Sequence, residues 1–244
     1  MVPAELSQDS LFNGRLQCLQ HRHGYRFSLD AVLLARFITP KPDDKICDLG
    51  TGCGIISLIM AFMWSEITIT GLEIQPGPAK LARENIELNN FQKRINIIQG
   101  DLRQIKDIFP AAYFDRVVCN PPYGKIGAGR QNKADEQLIA RHEIKANLAD
   151  VIRAAAFVVK NRGRVVLVYP ASRCAALLAE LRFNKLEPKR LRIVYSYPDS
   201  PGKLVLVEAV KNGGEELNVL PPFYVYQEPN GEYSPEMAAC YEAV

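Results

Sequence analysis

A strand that runs into a glycine-rich loop constrains the fold of this chain more than any other feature. The sequence from Ile46 to Gly54 reads ICDLGTGCG, and its glycines are Gly50, Gly52 and Gly54. Glycine lets the backbone turn sharply and lets a ligand approach it, because no Cβ atom is in the way. A helix-period segment at about 55–64 follows directly. This order of strand, glycine loop and helix is typical of a nucleotide-binding βα unit.

Strands and helices continue to alternate beyond this unit. Short apolar runs predict strands at 45–49, 68–73, 95–99, 114–119 and 164–169. Helical periodicity predicts helices at about 55–64, 78–89 and 144–160, and another that Ser172 caps and that runs to about 183. Gly163 is expected to end the third of these helices. The alternation predicts an α/β fold in which helices cover both faces of a mostly parallel sheet.

The flanking segments are expected to complete a single domain that spans residues 1–244. Residues 1–44 predict a helical cover, with a helix that begins at Ser28 and lies over the C-terminal edge of the sheet. Residues 45–212 form the core. Its last two β-rich runs, 190–196 and 203–210, predict an antiparallel hairpin at the sheet edge, because the turn-forming YPDSPG joins them. Residues 213–244 predict a loop-rich appendage with at most one short strand.

Composition excludes several classes of protein. No apolar stretch reaches the ~18 residues of a membrane span, and the first residues do not resemble a signal peptide, so a soluble cytoplasmic protein is expected. The six cysteines form no CxxC pair, and His21 and His23 have no further ligands clustered with them. We therefore predict neither a disulfide framework nor a metal site, and nothing predicts an obligate protein partner.

Charge is distributed unevenly along the chain, although the net charge is only +3. Residues 153–192 contain ten lysines and arginines and two acids, whereas residues 193–244 contain two lysines and eight acids. The basic run is compatible with binding to RNA phosphates, and equally with ordinary solvated helix and strand ends. The sequence alone leaves both interpretations open.

Three carboxylates near the ends of three successive predicted strands indicate which nucleotide the loop binds. Asp48 would repel a pyrophosphate but suits the α-ammonium of S-adenosylmethionine. Glu73 can accept both ribose hydroxyls, and Asp101 can accept from the adenine amine. Each acid alone could be a helix N-cap or a turn residue, which for Asp101 in isolation is the preferred interpretation. Together they predict an S-adenosylmethionine site made by Asp48, Gly50, Thr51, Gly52, Gly54, Glu73, Ile74, Asp101, Leu102 and Asn120.

The most specific element follows the fourth predicted strand and reads Asn120-Pro121-Pro122-Tyr123. An exocyclic aryl amine is a poor nucleophile because its lone pair is delocalised into the ring. The Asn120 side-chain oxygen and the Pro121 carbonyl can each accept one N–H and favour a pyramidal nitrogen, and the rigid Pro-Pro backbone fixes both acceptors. Tyr123 offers a face for base stacking. These four residues are predicted to be the catalytic site of methyl transfer to an adenine amine.

The segment after Tyr123 contains three glycines and three basic side chains, which are Lys125, Arg130 and Lys133. It is predicted to bind RNA by closing on the phosphate backbone. Composition favours an ordinary surface loop about equally.

With these motifs the sequence resembles the bacterial tRNA(Val) adenine-N6-methyltransferases, within the class I, Rossmann-like methyltransferases. The glycine loop and NPPY are features of the whole superfamily. RFSLDAVLLA at 26–35 and ARHEI at 140–144 indicate this branch, and the resemblance extends to GEYSPE at 231–236. It implies a seven-stranded sheet, an S-adenosylmethionine site, and an adenine in a tRNA anticodon loop as the substrate.

Other functions fit parts of the sequence. A protein glutamine-N5-methyltransferase would use the same NPPY, but such enzymes carry a helical substrate domain before the glycine loop, and only 45 residues precede Ile46 here. DNA adenine methyltransferases usually add a target-recognition domain, for which little room remains after Tyr123. An NAD-dependent oxidoreductase would explain Glu73 but would leave NPPY unused, and its loop would more often read GxGxxG. A non-catalytic RNA-binding module is disfavoured because Asn120 and Tyr123 are both present.

Overall fold

The structure, a computed structural model, describes residues 5–21, 29–121 and 146–242. In these ranges the strands are β1 (Leu6–Leu11), β2 (Leu16–His21), β3 (Lys45–Leu49), β4 (Thr68–Glu73), β5 (Ile95–Gln99), β6 (Phe114–Cys119), β7 (Val159–Pro170), β8 (Leu186–Tyr195), β9 (Gly202–Lys211), β10 (Asn218–Val219) and β11 (Phe223–Tyr224). The helices are α1 (Leu29–Phe37), α2 (Ile55–Met63), α3 (Pro76–Leu88), α4 (Ile105–Ile108), α5 (Leu148–Val158), α6 (Cys174–Phe183) and α7 (Pro235–Ala239). Short 3-10 turns at Leu102–Gln104 and Ala171–Arg173 precede α4 and α6.

One large sheet organises the molecule. Its strand order is β10-β8-β9-β7-β6-β3-β4-β5, and β11 also pairs with β8. Strands β3 to β7 are parallel, while β9 runs antiparallel between β7 and β8. The predicted mostly parallel sheet with a C-terminal antiparallel hairpin is confirmed, but within the described residues it has nine strands rather than the seven expected. The two short strands β10 and β11 extend it along β8.

Two apolar cores, one on each face of the sheet, bury the alternating side chains of the central strands. In β6, Val118 belongs to the core that includes α1, α2 and α3, while Val117 and Cys119 belong to the core that includes α4, α5 and α6. Successive side chains of a strand point to opposite faces, so a strand that is buried on both faces must be apolar throughout. Helices therefore cover both faces, as the sequence predicts.

The sequence predicts the parallel strands β3, β4, β5 and β6 with the bounds that the structure shows, because each contains a short apolar run and ends at a loop. The last three long strands begin earlier than predicted: β7 at Val159, β8 at Leu186 and β9 at Gly202. The added first residues of β7 and β8 are partly polar, so the apolar pattern is weak there.

Helix α5 is shorter than its predicted range of 144–160, of which residues 144 and 145 lie outside the described residues. A capping box sets its start: the Asn147 side chain accepts the Asp150 N–H at 2.9 Å, and the Asp150 side chain accepts the Asn147 N–H at 3.1 Å. The helix ends at Val158 and β7 follows at once. The prediction that Gly163 ends the helix is wrong, because Gly163 lies inside the strand.

The predicted cap at Ser172 is also wrong. Ser172 lies within the 3-10 turn that follows β7, and α6 begins two residues later at Cys174. Arg173 occupies the N-cap position, and no side chain caps the helix. The chain turns into helical backbone directly after Pro170, so Ser172 is already past the extended position that a capping side chain requires.

Strands β1 and β2 form a separate antiparallel hairpin in the region where a helical cover is predicted. Its turn contains Asn13 and Gly14 with φ of 56° and 82°. These residue types adopt left-handed backbone most readily, and Asn-Gly between strands is a strong hairpin signal. The only described helix of residues 1–44 is α1, which packs on α2, while the predicted start at Ser28 lies outside the described residues.

The C-terminal segment contains more regular structure than the single short strand predicted. Strands β10 and β11 both run parallel to β8, and α7 follows them. The Leu220 N–H donates to the Leu191 carbonyl at 2.8 Å, which continues this pairing beyond β10. Strands of two residues are too short to show a periodic pattern, and they form here because the outer edge of β8 offers backbone partners.

Candidate active site

The C-terminal ends of four parallel strands, β6, β3, β4 and β5, meet at one edge of the sheet, which we call the catalytic edge. The register aligns Cys119 with Leu49, Leu49 with Leu72, and Glu73 with Gln99. Ligands of open parallel sheets bind beyond the carboxyl ends of the strands. The predicted site residues that this register brings side by side are Asn120, Gly50, Glu73 and Asp101.

The glycine loop between β3 and α2 has the backbone that its sequence requires. Gly50, Gly52 and Gly54 have φ of 74°, 59° and 87°, all in the left-handed region that favours glycine. The Gly50 N–H donates to the Leu72 carbonyl at 2.8 Å, which ties the loop to β4. A Cβ atom at Gly54 would lie 3.3 Å from the Cβ of Ala82, whereas none at Gly50 or Gly52 would meet protein within 4 Å. The loop therefore packs closely on α3 at one end and leaves room for a ligand at the other.

Asp48 lies fully buried beneath this loop. Its Oδ2 accepts hydrogen bonds from the Thr51 and Ser57 hydroxyls, both at 2.7 Å. Burial raises the pKa of Asp48 to about 6, and the nearby Glu73 adds to this, although the two hydroxyls partly oppose it. Among the described residues Oδ1 has no hydrogen-bond partner, so it is the oxygen that can meet a cationic group of a ligand.

Glu73 is 5% exposed. It lies at the catalytic edge and also forms hydrogen bonds that hold the glycine loop. Its Oε2 accepts the Gly52 N–H at 2.9 Å, and its Oε1 accepts the Gln75 N–H at 2.9 Å. Each carboxylate oxygen has two acceptor sites, so both keep capacity for ribose hydroxyls. Ile74, the next predicted cofactor residue, is half-buried between Glu73 and the start of α3.

Asp101 caps the 3-10 turn that begins at Leu102. This capping role is the one that the sequence favours when Asp101 is considered in isolation. It accepts the Arg103 N–H at 2.9 Å and forms an ion pair with the Arg103 guanidinium at 2.6 Å. The hydrogen bond from the Arg103 side chain holds the pKa of Asp101 below its usual value. Asp101 and Leu102 lie at the catalytic edge, and their contacts with an adenine ring stay a prediction.

The first two residues of the predicted reaction site follow β6 directly. Asn120 is half-buried and Pro121 is buried. The preceding Cys119 donates its thiol to the Leu49 carbonyl at 3.0 Å, which fixes the end of β6 against the start of the glycine loop. Burial raises the pKa of this thiol and keeps it protonated. The remaining predicted site residues, Pro122, Tyr123, Lys125, Arg130 and Lys133, lie outside the described residues.

Sequence reasoning missed the part that Asn85 plays in the site. This fully buried residue of α3 donates from Nδ2 to the Cys53 carbonyl in the glycine loop and to the Leu19 carbonyl in β2, both at 2.9 Å. Its Oδ1 accepts the Leu19 N–H at 2.7 Å. One turn later Asn89 forms the same pair of bonds with the Gln17 backbone, at 2.9 and 2.7 Å. Asn85 is the signal, because an asparagine inside a helix is unfavourable without a local partner, whereas Asn89 is the C-cap residue of α3.

The basic run of 153–192 mostly lies away from the catalytic edge. Strand β8 is parallel to β6, so the starts of β7 and β8 lie at the opposite edge. Arg164 and Arg190 there pair with the buried Glu208. In the acidic tail, Glu236 pairs with Arg192 at 2.6 Å and Glu215 with Arg182 at 3.5 Å. Much of the uneven charge in the sequence is therefore neutralised within the fold.

Two further searches of the structure concern metals and membranes. In the ranges that the structure describes, no three histidine, cysteine or acidic side chains are arranged to hold a metal ion. None of the helices described is both long and apolar enough to cross a membrane.

Residues 28–181 match the family model described as the methyltransferase small domain. The chain belongs to this family. Curated relatives carry the name tRNA1(Val) (adenine(37)-N6)-methyltransferase. The protein of Shewanella loihica is 30% identical over 226 residues, 90% of this chain and 92% of the relative. That of Trichodesmium erythraeum is 28% identical over 194 residues, 79% of this chain and 80% of the relative.

Solved structures show the same fold. A predicted O-methyltransferase from Agrobacterium tumefaciens superposes with a TM-score of 0.71, at 22% identity over 88% of this chain and 98% of that chain. TrmN from Thermus thermophilus superposes with a TM-score of 0.55, at 22% identity over 74% of this chain and 48% of that chain. The α/β, Rossmann-like methyltransferase fold predicted from the sequence is confirmed.

Family and fold together make the protein an S-adenosylmethionine-dependent methyltransferase. The residues present fit this cofactor. The open space at Gly50 and Gly52 admits a ligand against the backbone, and the unpartnered Oδ1 of Asp48 suits an ammonium group. The oxidoreductase and the non-catalytic binding module are thereby set aside.

Proposed function

We propose that the protein methylates N6 of an adenine in tRNA, in the anticodon loop. The observation that carries this proposal is the register that sets Asn120 and Pro121, at the end of β6, beside the glycine loop at the end of β3. A methyl donor held on the loop and an amine held by Asn120 then meet at one edge. The names of the relatives, each a tRNA adenine-N6-methyltransferase, support the choice of amine.

The protein's own part in this reaction is to hold and orient the amine. S-adenosylmethionine supplies the electrophilic methyl group when bound. The Asn120 side-chain oxygen and the Pro121 carbonyl accept the two N–H groups and draw the lone pair out of the ring, and the buried Pro121 keeps these acceptors rigid. Pro122 and Tyr123 are proposed to complete the rigid turn and to stack on the base. The methylated, cationic amine is acidic, so the proton departs without a strong base.

The cofactor residues are proposed to bind different parts of S-adenosylmethionine. Asp48 takes the α-ammonium, Glu73 the ribose hydroxyls, and Asp101 with the Leu102 N–H the adenine ring. The glycines, Thr51 and Ile74 line the loop and the strand end against which the cofactor lies. Every one of these positions lies at the ends of β3, β4 and β5 or in the loops that follow them.

A protein glutamine would present the same kind of NH2 group to Asn120. Among the described residues that precede β3 there are one hairpin and one nine-residue helix, α1. Both pack on the core of this domain rather than forming a separate substrate domain. The names of the relatives, each a tRNA adenine-N6-methyltransferase, favour RNA over protein as the substrate.

The test uses purified protein, S-adenosylmethionine with a labelled methyl group, and either unmodified tRNA or a glutamine-containing protein. Mass spectrometry of nucleosides should find N6-methyladenosine. Asn120→Ala should lower kcat by ~100-fold or more, the scale of losing one preorganised polar group. S-adenosylmethionine affinity should stay within a few-fold, as it should for the control Asn96→Ala, whose exposed side chain lies within β5. Label on glutamine instead of adenine, or an equal loss of cofactor binding in Asn120→Ala, would refute these assignments.

A further inference from the structure

A second cavity opens at the catalytic edge, on the far side of β7 from Asn120. Its volume is about 270 Å³. It lies between the start of α1, the end of β8, the start of β9 and the segment that follows β11. The side chains that give it its chemistry are those of Asp30, Tyr195, Ser196, Lys203 and Tyr226.

The sheet register places this cavity relative to the reaction site. Cys119 is level with Leu167 on β7, which is level with Val207 on β9 and Leu191 on β8. Tyr195 lies four residues beyond Leu191, whereas Asn120 lies one residue beyond Cys119, so this wall rises ~10 Å above the level of Asn120. Three strand spacings separate β6 from β8, which adds ~14 Å sideways. The cavity wall is therefore ~17 Å from the reaction site, about five stacked nucleotide steps of ~3.4 Å.

A stack of tyrosines forms one side of the cavity. The Tyr226 and Tyr233 rings are 5.4 Å apart with an interplanar angle of 26°, and the Tyr233 and Tyr241 rings are 5.8 Å apart at 15°. Tyr226 is at the end of this stack and lines the cavity. The backbone holds it there, because the Tyr226 N–H donates to the Ser196 carbonyl at 2.8 Å and Tyr226 pairs with Tyr233 as an antiparallel bridge.

These rings are unusually exposed for residues that are held so firmly. Tyr226 is 36% exposed and Tyr233 is 41% exposed. An aromatic ring that is both rigid and solvent-facing is a stacking platform, since little conformational entropy is lost when a flat ligand covers it. Tyr195, which contacts Tyr224 at 5.7 Å between ring centres, supplies a second aromatic surface in the same cavity.

The polar groups around the rings suit a nucleotide. The exposed Lys203 can neutralise a phosphate, and the Ser196 hydroxyl can bond to the edge of a base. The volume is slightly below the ~300–1,000 Å³ of sites for larger small molecules, and fits one planar base.

We propose that this cavity binds a second nucleobase of the tRNA substrate, stacked on Tyr226, while the target adenine lies at Asn120. This inference rests on the proposed function, and it identifies a contact to the RNA outside the reaction site. It implies that the enzyme recognises the anticodon stem-loop at two separated bases.

The test compares three variants in methylation of tRNA, with thermal unfolding as the check of folding. Tyr226→Ala should raise KM for tRNA roughly 5- to 150-fold, the loss expected for one stacked base, at unchanged S-adenosylmethionine affinity and near-unchanged kcat. Tyr226→Phe keeps the ring and should resemble the wild type. The matched control is Tyr113→Ala, because Tyr113 is 42% exposed but precedes β6 at the opposite edge. It should leave KM for tRNA unchanged.

The outcomes separate this inference from the proposed function. Wild-type protein that fails to methylate tRNA refutes the proposed function and the inference with it. Active wild type with a folded Tyr226→Ala of unchanged KM overturns the second base site alone.

A crosslinking experiment does not depend on any variant. A tRNA stem-loop with one 5-iodouridine at successive positions is bound to wild-type protein, irradiated and mapped by peptide mass spectrometry. Attachment at Tyr226 or Tyr195 supports the inference. Attachment only to residues on other faces overturns it.

Discussion

At the scale of single residues, Asp48 combines two properties that usually conflict. It is fully buried, which penalises its charge, yet the Thr51 and Ser57 hydroxyls and the cationic ligand we propose all favour that charge. The folded state raises the pKa of Asp48 to about 6, so it holds the proton more tightly than the unfolded chain does. The stabilising effect of that proton is complete below about pH 4 and is lost as the pH rises through about 6.

We therefore predict that Asp48→Asn raises the free energy of unfolding at neutral pH and weakens cofactor binding. The amide carries no charge to bury, and the difference of about two pKa units sets an upper limit of about 3 kcal/mol. Urea unfolding of variant and wild type at about pH 4.5 and about pH 7.5 measures the difference in the free energy of unfolding. The gain of the variant in this free energy should be larger at the higher pH. Calorimetric titration should show S-adenosylmethionine affinity lowered about tenfold or more. The same gain at both values would contradict the role of ionisation.

The sequence suffices to choose Asp48, Glu73 and Asp101, because acids at the ends of successive strands of a parallel sheet must lie near one another. It does not reveal their second partners. The Glu73 carboxylate also holds the Gly52 and Gln75 N–H groups, and Asp101 is paired with Arg103. Whether such bonds form depends on shifts of the backbone of only a few tenths of an ångström. A pattern of residue types does not encode shifts of that size.

At the scale of elements, the β1–β2 hairpin and the glycine loop are held by one helix. Asn85 of α3 bonds both to Leu19 in the hairpin and to Cys53 in the loop. Asn89, one turn along, bonds to Gln17 in the hairpin and to its own helix, but not to the loop. Both side chains thus anchor the hairpin, but only Asn85 also supports the loop.

We predict that Asn85→Ala and Asn89→Ala both lower stability but differ in cofactor binding. Each leaves backbone groups of the hairpin unpaired, at about 1–3 kcal/mol per buried group. Only Asn85→Ala releases the Cys53 carbonyl, so only it should weaken S-adenosylmethionine binding, by several-fold. Urea unfolding and calorimetric titration of the two variants decide the matter. Equal cofactor affinities would show that the loop holds its shape without Asn85.

Elements differ in how far the sequence predicts them. Strands β3, β4 and β6 lie inside the sheet and are largely buried on both faces, so mainly apolar runs mark them. The bounds of these strands and of the edge strand β5 are predicted correctly. The hairpin strands LSQDSL and LQCLQH are buried on one face only and carry many polar residues, so no apolar run marks them. The Asn13-Gly14 turn was the available signal. Strands β10 and β11 are defined by β8, which a local pattern cannot show.

At the scale of the whole molecule, many of the basic residues that the structure describes lie at the edge of the sheet opposite the catalytic edge. The starts of β7 and β8 carry many of them, but Glu208 and the acidic tail pair with several. The basic residues expected to hold RNA are Lys125, Arg130 and Lys133, which lie outside the described residues.

We predict that tRNA affinity falls with salt by ~0.7 to 0.9 log units per log unit of salt for each phosphate neutralised. Changing Lys125, Arg130 and Lys133 together to glutamine should flatten this slope and raise the tRNA Kd, while S-adenosylmethionine affinity stays the same. The matched control changes Arg162, Lys185 and Lys189, which lie at or near the starts of β7 and β8. If the control flattens the slope and the first variant does not, the RNA lies on the opposite edge.

The position of β9 between β7 and β8 also governs how the protein can be made. A ribosome delivers β8 before β9, yet β8 has no place in the sheet until β9 has paired with β7. While β9 is still inside the exit tunnel, the nascent chain must therefore keep one bare edge on β7 and one unattached strand. Exposed edges of this kind recruit other strands, and folding proceeds from the N-terminal side during synthesis. The interval between the emergence of residues 186–195 from the tunnel and the emergence of residues 202–211 is thus one in which the chain is exposed to aggregation.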